Sequence, residues 1–174
     1  EMTRDIAQKF NHHYGDIFNI PEAIIDQDKG LLLGVDGKKM SKSYSNEIPI
    51  FLSADELRKR ILKIKTNSLE PGEPKDHKDC TIYNIFSSFS SKEEQASLVL
   101  KYKEGISWGN AKEELFELLD EKLRTYRTEY NLLIKDPLFL ENTLIKGAEK
   151  ANAKSEPIIN KIRGAIGIRG IRGD

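Results

Sequence analysis

Apolar residues recur at helical spacing over most of this chain, and the exceptions are grouped in its first third. Met2, Ile6 and Phe10 stand four apart and form one stripe, which predicts an amphipathic helix under way from the first residues. Neither an initiator Met nor a capping residue precedes that stripe, so the chain reads as part of a longer protein entered inside an element. Asn11 to Gly15 reads as a break, and Ile17-Phe18-Asn19-Ile20-Pro21 as a short extended stretch. Leu31-Leu32-Leu33, bracketed by Gly30 and Gly34, predicts a brief buried strand. Residues 34–47 form a polar loop containing glycines and lysines, and Ile48-Pro49-Ile50-Phe51 closes the region as an extended segment.

From Ser53 onward the pattern is helical. Ser53-Ala54-Asp55-Glu56 is a capping box, in which a serine hydroxyl and a glutamate three residues on satisfy each other's backbone donors. The helix predicted over 53–65 has Leu57, Ile61 and Ile64 on its apolar face and Arg58, Lys59, Arg60, Lys63 and Lys65 around the rest. A loop with Pro71, Gly72 and Pro74 follows, then helices over 79–89 and 91–103, the second opened by another box at Ser91 and Glu94. A long helix over 107–134 carries Leu115, Leu118, Leu119, Leu123, Tyr126 and Tyr130 at helical spacing. The last helical region begins at Pro137, a residue suited to the first helical position, and is expected to kink or restart near Pro157. Residues 168–173 read as a frayed Arg-Gly tail. The pattern therefore predicts a mainly α chain, with a mixed α/β front third and a helical remainder.

Composition narrows the possible functions. Hydrophobic residues make up 38% and charged residues 32%, and no apolar run approaches the roughly 18 residues a membrane span needs. A single cysteine, Cys80, excludes an internal disulfide, and no grouping of Cys and His has the spacing of a metal site. Adjacent His12 and His13 point different ways on a helix, Cys80 reads as a small buried residue, and Trp108 as a packing anchor between helices. The 28 basic and 28 acidic residues cancel, yet the basic ones gather toward the end, at Lys146, Lys150, Lys154, Lys161, Arg163, Arg169 and Arg172. Such an end permits a polyanionic partner without requiring one.

The segment that carries chemistry is Gly34-Val35-Asp36-Gly37-Lys38-Lys39-Met40-Ser41-Lys42-Ser43-Tyr44-Ser45-Asn46. Two ammonium groups three positions apart, with a hydroxyl between them on a glycine-bounded loop, make a mobile cationic clamp suited to a polyphosphate. A lysine on a flexible stem can follow a leaving pyrophosphate as its charge grows, and stabilisation that appears mainly in the transition state accelerates a step.

Residues 39–43, Lys-Met-Ser-Lys-Ser, resemble the signature loop of the class I aminoacyl-tRNA synthetases. Three flanking stretches resemble the tryptophanyl-tRNA synthetase family within that class. They are Glu1 to Ala7 with Phe10-Asn11, Gly34 to Tyr44 with Asn46-Glu47-Ile48-Pro49, and Gly147 to Asn152, spanning almost the whole chain in order. The resemblance implies that residues 1–52 are the C-terminal end of a Rossmann-type α/β catalytic domain that includes the signature loop. Residues 53–174 are then an α-helical anticodon-binding domain whose last helix packs back on the catalytic part. It also implies ATP-dependent activation of tryptophan and transfer to tRNA(Trp). Lys39, Ser41 and Lys42 serve as catalytic groups on the phosphates, and Leu31, Lys39, Met40, Ser41, Lys42 and Ser43 bind ATP, with Leu31 and Met40 near the adenine. Mg²⁺ comes with the ATP, no residue is assigned to a metal of its own, and the full-length protein is expected to be a cytoplasmic homodimer.

The chain departs from the family's pattern by lacking a His-Ile-Gly-His-like segment and the residues that recognise the indole, both of which belong upstream. The basic face of helix 53–65 and the basic C-terminal residues are compatible with RNA phosphates. Two alternatives stay open on the sequence: a stand-alone non-catalytic helical module that binds RNA or protein, and a relative of tyrosyl-tRNA synthetase.

Overall fold

The computed structural model describes residues 1–24 and 31–168. The expected Arg-Gly tail lies almost wholly outside the described residues, and so does Gly30. Among the described residues there are six α-helices: α1 Met2–Tyr14, α2 Ala54–Leu62, α3 Thr81–Phe89, α4 Lys92–Lys103, α5 Trp108–Leu133 and α6 Pro137–Ala165. No described helix is long and apolar enough to cross a membrane. The chain is mainly helical, and the backbone divides into two compact units. One contains residues 26–135, and the other residues 1–25 with 136–174.

The core of the 26–135 unit is organised by α5. Ala111, Leu115, Leu118 and Leu119 are buried on one side of that helix, at the three- and four-residue spacing that keeps side chains on one face. Leu57 and Ile61 of α2, Ile82 and Ile85 of α3, and Leu98 and Tyr102 of α4 close the same cluster, each 1% exposed or less. Both predicted capping boxes form, so α2 and α4 begin where reciprocal Ser–Glu hydrogen bonds satisfy their first donors. Tyr102 is fully buried with its hydroxyl 3.3 Å from Cys80 Sγ, and burial pushes its phenol far above the ordinary tyrosine range. Trp108 packs edge-on against Tyr102 and donates its indole N–H to Asn67 Oδ1 at 3.0 Å, the anchoring role its solitary occurrence suggested.

Three elements differ from the sequence pattern. Helix α1 does not break at Asn11 but runs to Tyr14 and stops at Gly15, whose φ of 86° suits a glycine. Asn11 instead uses its side chain to hold the next segment, accepting from Ile17 and Phe18 N–H and donating to Phe18 O at 2.7 Å. Residues 31–33 are not a buried strand: Leu31 is 50% exposed, and Leu33 makes only one isolated antiparallel bridge, with Lys39. Among the described residues no second strand lies beside it, so no ladder can propagate. Helix α6 continues through Pro157 without restarting; proline removes one internal hydrogen bond, which a long helix can absorb by bending. No residue of α6 is buried.

In the other unit, α1 is covered by its own following segment. Phe10 meets Phe18 edge-on at 4.9 Å, and Arg4 Nε donates to the Pro21 carbonyl at 3.1 Å.

Because Leu115 is fully buried at the centre of the main core, Leu115→Ala should destabilise the chain by about 3 kcal/mol in chemical denaturation. On α5, Asp120 accepts from Arg127 at 2.8 Å and Arg124 at 3.1 Å. Partial burial pushes the Asp120 carboxyl up, but the hydrogen bonds and charges of Arg127 and Arg124 outweigh it and hold the group below its ordinary value. A depressed carboxylate contributes stability above its unfolded pKa and loses it as pH falls through its folded pKa. Asp120→Asn should therefore cost about 2 kcal/mol at pH 7 and progressively less below about pH 4, measured by denaturation across that range.

Candidate functional site

The polar loop of residues 34–46 is built on a two-sided neck. Leu33 and Lys39 form the bridge, Gly34 N–H donates to Lys38 O at 2.7 Å, and Met40 N–H donates to Leu32 O at 2.9 Å. Between these sides the chain turns through Gly37, where φ is 80°, and Lys38 N–H is capped by Asp36 Oδ1 at 3.0 Å. The neck is fastened to the core of its unit at three points. Lys65 N–H reaches Val35 O at 3.0 Å, Asn84 Oδ1 accepts from Leu33 N–H at 3.1 Å, and Arg60 Nε donates to Glu47 O at 2.8 Å. Arg60 also donates through Nη2 to Ser45 O.

Beyond the neck, residues Lys42–Tyr44 make a single 3-10 turn, and Ser45 adopts a left-handed conformation with φ of 50°. Lys39, Lys42 and Ser43 are exposed, and Ser41 and Met40 are half-buried. The hydroxyls of Ser41 and Ser43 are hydrogen-bonded to each other at 2.7 Å. Among the described residues neither Lys39 nor Lys42 makes an ion pair, so both ammonium groups are available to an anion in solution. Exposed cations interleaved with paired hydroxyls fit phosphate oxygens, which accept hydrogen bonds and carry spread negative charge.

A cavity of about 610 Å³ opens beside the loop. Met40, Ser41 and Lys42 line it together with Leu32, Glu47, Ile48, Phe51, Phe89 and Leu119, so its charged groups are one lysine and one glutamate and most of the remainder is apolar. The structure thus brings five of the six sequence-selected residues, Lys39 to Ser43, into one loop. Leu31 is apart from them: half-exposed, with its carbonyl held by Asn84, it does not line the cavity, and Leu32 faces Met40 there instead.

The basic face of α2 divides. Arg58 is paired with Glu113 and lies 4.6 Å over the Phe116 ring, and Arg60 is committed to the loop. Lys59 and Lys63 are exposed and line a separate cleft of about 420 Å³. Arg60 belongs to the face compatible with RNA phosphates by sequence, whereas its guanidinium spans two backbone carbonyls of the loop's exit. Asn46, Asp36 and Arg60 were not recognised as supports of the loop. The available signal was the buried-type glycine Gly34 and a polar amide immediately past a cationic loop.

A family model for class I tRNA synthetases (W and Y) matches residues 1–124. A tryptophan–tRNA ligase of Pseudomonas aeruginosa is 43% identical over 175 residues, covering 99% of this chain and 39% of that protein. One of Neisseria meningitidis is 40% identical over 172 residues, covering 99% of this chain and 51% of that protein. A crystal structure described as tryptophanyl-tRNA synthetase from Campylobacter jejuni complexed with ADP and tryptophan superposes with a TM-score of 0.74. It is 40% identical, and the match covers 94% of this chain and 52% of that one. The chain therefore spans between about two-fifths and half the length of these relatives. With the family matched across both the loop and the α5 core, the chain belongs to the class I tRNA synthetases of the W and Y group.

Proposed function

We propose that this chain is the part of a tryptophan–tRNA ligase that supplies the phosphate-gripping loop and the helices that receive tRNA(Trp). The observation that carries the reading is the loop itself, where Lys39 and Lys42, exposed and free of ion pairs among the described residues, alternate with the paired Ser41 and Ser43 hydroxyls above a neck fixed to the core. The relatives at about 40% identity support tryptophan as the amino acid. On this reading residues 1–52 close a Rossmann-type catalytic domain and residues 53–174 form an anticodon-binding domain.

In the activation step the tryptophan carboxylate attacks the α-phosphorus of ATP. The bond to the bridging oxygen breaks, and pyrophosphate leaves with the negative charge. Lys39 and Lys42 meet that charge as it develops, and the Ser41 and Ser43 hydroxyls donate to phosphate oxygens. Met40 packs toward the adenine, with Leu31 further along the neck. Mg²⁺, carried in with ATP, supplies charge neutralisation on the phosphates. Transfer of the aminoacyl group to tRNA(Trp) completes the reaction in a cytoplasmic homodimer.

In the full-length enzyme, Lys42→Ala should lower tryptophan-dependent pyrophosphate exchange by on the order of 10²-fold or more while tryptophan binding is retained. Exchange at the parental rate would overturn the phosphate-gripping role. The isolated 174-residue chain should show no exchange, measured with labelled pyrophosphate. Of that basic face, Lys59 on α2 and Lys63 at its C-cap line the open cleft and are the lysines put to RNA. Their joint reversal to Glu should raise KM for tRNA several-fold and flatten its salt dependence by about two charges, with exchange unaltered. An unchanged KM for tRNA would remove this face from the interface.

A further inference from the structure

Asn46 lies three residues beyond the signature loop and is 2% exposed. Its amide offers what no other short side chain combines, an acceptor together with two donors, and the site uses all of them. Oδ1 accepts from Ser41 N–H at 2.8 Å, while Nδ2 donates to Asp36 Oδ1 at 2.7 Å and to the Lys39 carbonyl at 3.1 Å. The backbone carbonyl of Asn46 accepts from Val35 N–H at 2.9 Å. The partners fix which way the amide faces, since a flipped group would set a donor against Ser41 N–H and an acceptor against the Asp36 carboxylate.

The fit is also steric. A Cβ on Gly34 would come within 2.5 Å of Asn46 Cγ and 2.6 Å of its carbonyl oxygen, so a residue without a side chain is needed across from the amide. The amide thereby ties together the entry of the loop at Asp36, the backbone on either side of Met40, and the exit. Lys39 and Ser41 leave the neck from fixed points, while the tip that carries Lys42 is held by a 3-10 turn, the Ser41–Ser43 hydroxyl pair and Arg60 on the Ser45 carbonyl. Asp36 is engaged by the amide first and by Lys38 N–H second, and these hydrogen bonds hold its carboxyl below the ordinary value. The anion inside the loop is thus directed at the amide.

We propose that Asn46 is a positioning residue for nucleotide activation: buried and out of reach of ATP, it sets the backbone origins from which Lys39 and Ser41 address the phosphates. The proposal rests on the phosphate-gripping reading of the loop. Misplacement of a reacting or stabilising group by about 1 Å costs on the order of 10²-fold in rate, which sets the expected scale.

The test uses the full-length enzyme with Asn46→Ala, Asn46→Asp, and the exchange Asn46→Asp with Asp36→Asn. In the exchanged pair an Asn amide at 36 donates to the carboxylate at 46, which still accepts Ser41 N–H, while the Lys39 carbonyl loses its donor and Lys38 N–H loses the acceptor it shared with the amide. Both single variants should lower kcat for tryptophan-dependent pyrophosphate exchange by about 10- to 100-fold, with tryptophan affinity retained. The exchanged pair restores the 36–46 and Ser41 hydrogen bonds alone and should recover part, not all, of the loss seen in Asn46→Asp. Parental kcat and KM for ATP in both single variants, alongside a loss in Lys42→Ala, would overturn the positioning role and leave the phosphate grip standing. If Lys42→Ala also exchanged normally, the underlying reading would fail with it. Loss of tryptophan binding and thermal stability in all three variants, with no recovery in the exchanged pair, would reduce Asn46 to a structural residue and overturn the proposal as well.

Discussion

Burial of one face of α5 is the constraint on which the rest depends. Leu115 and its neighbours hold α2, α3 and α4 in one cluster, and three anchors of the lysine-bearing loop are borne by elements whose place that cluster determines. Arg60 extends from α2, Lys65 follows the end of the same helix, and Asn84 sits in α3. Burying the apolar residues of these helices offsets the conformational entropy of fixing them. The loop then inherits a rigid base without having to contribute much hydrophobic surface of its own.

Two kinds of restraint meet at the loop. Its neck is closed by backbone hydrogen bonds and a buried amide, whereas its tip is an exposed short turn held by a hydroxyl pair and by Arg60 on the Ser45 carbonyl. Rigid ends with a lightly held middle suit a clamp that must follow a leaving group and then release it. The commitment of Arg60 to the loop exit also means that the helix that carries Lys59 and is capped by Lys63 shares a side chain with the lysine-bearing loop. A charge reversal there would confuse two readouts, which is why the RNA-facing question is better put to the two lysines.

Local chemistry was legible in the chain. Ser53 with Glu56 and Ser91 with Glu94 announced helix starts because both partners of a capping box lie within four residues. The α5 stripe was equally plain, because its burial recurs at helical spacing. What was hidden depended on residues distant in sequence. Asn11 resembled a helix breaker, yet its amide bonds residues 17 and 18 while its backbone stays helical. The leucines at 31–33 had the composition of a buried strand, but strand pairing is nonlocal and only one bridge formed. At the loop, the cations were visible as a motif, whereas Arg60 and Asn46 acquired roles only when α2 and the loop's exit folded against the neck.

Gly34 and Asn46 occupy opposite sides of a single lodging. Adding one methyl group at Gly34 evicts the amide as surely as deleting the amide does, so the two positions share one fate although they are separated by the whole motif. Their substitutions are expected to be strongly non-additive, the second causing little harm once the first is present. Variation in this loop is therefore asymmetric: the visible tip has room to drift, while the missing carbon atom beneath it does not.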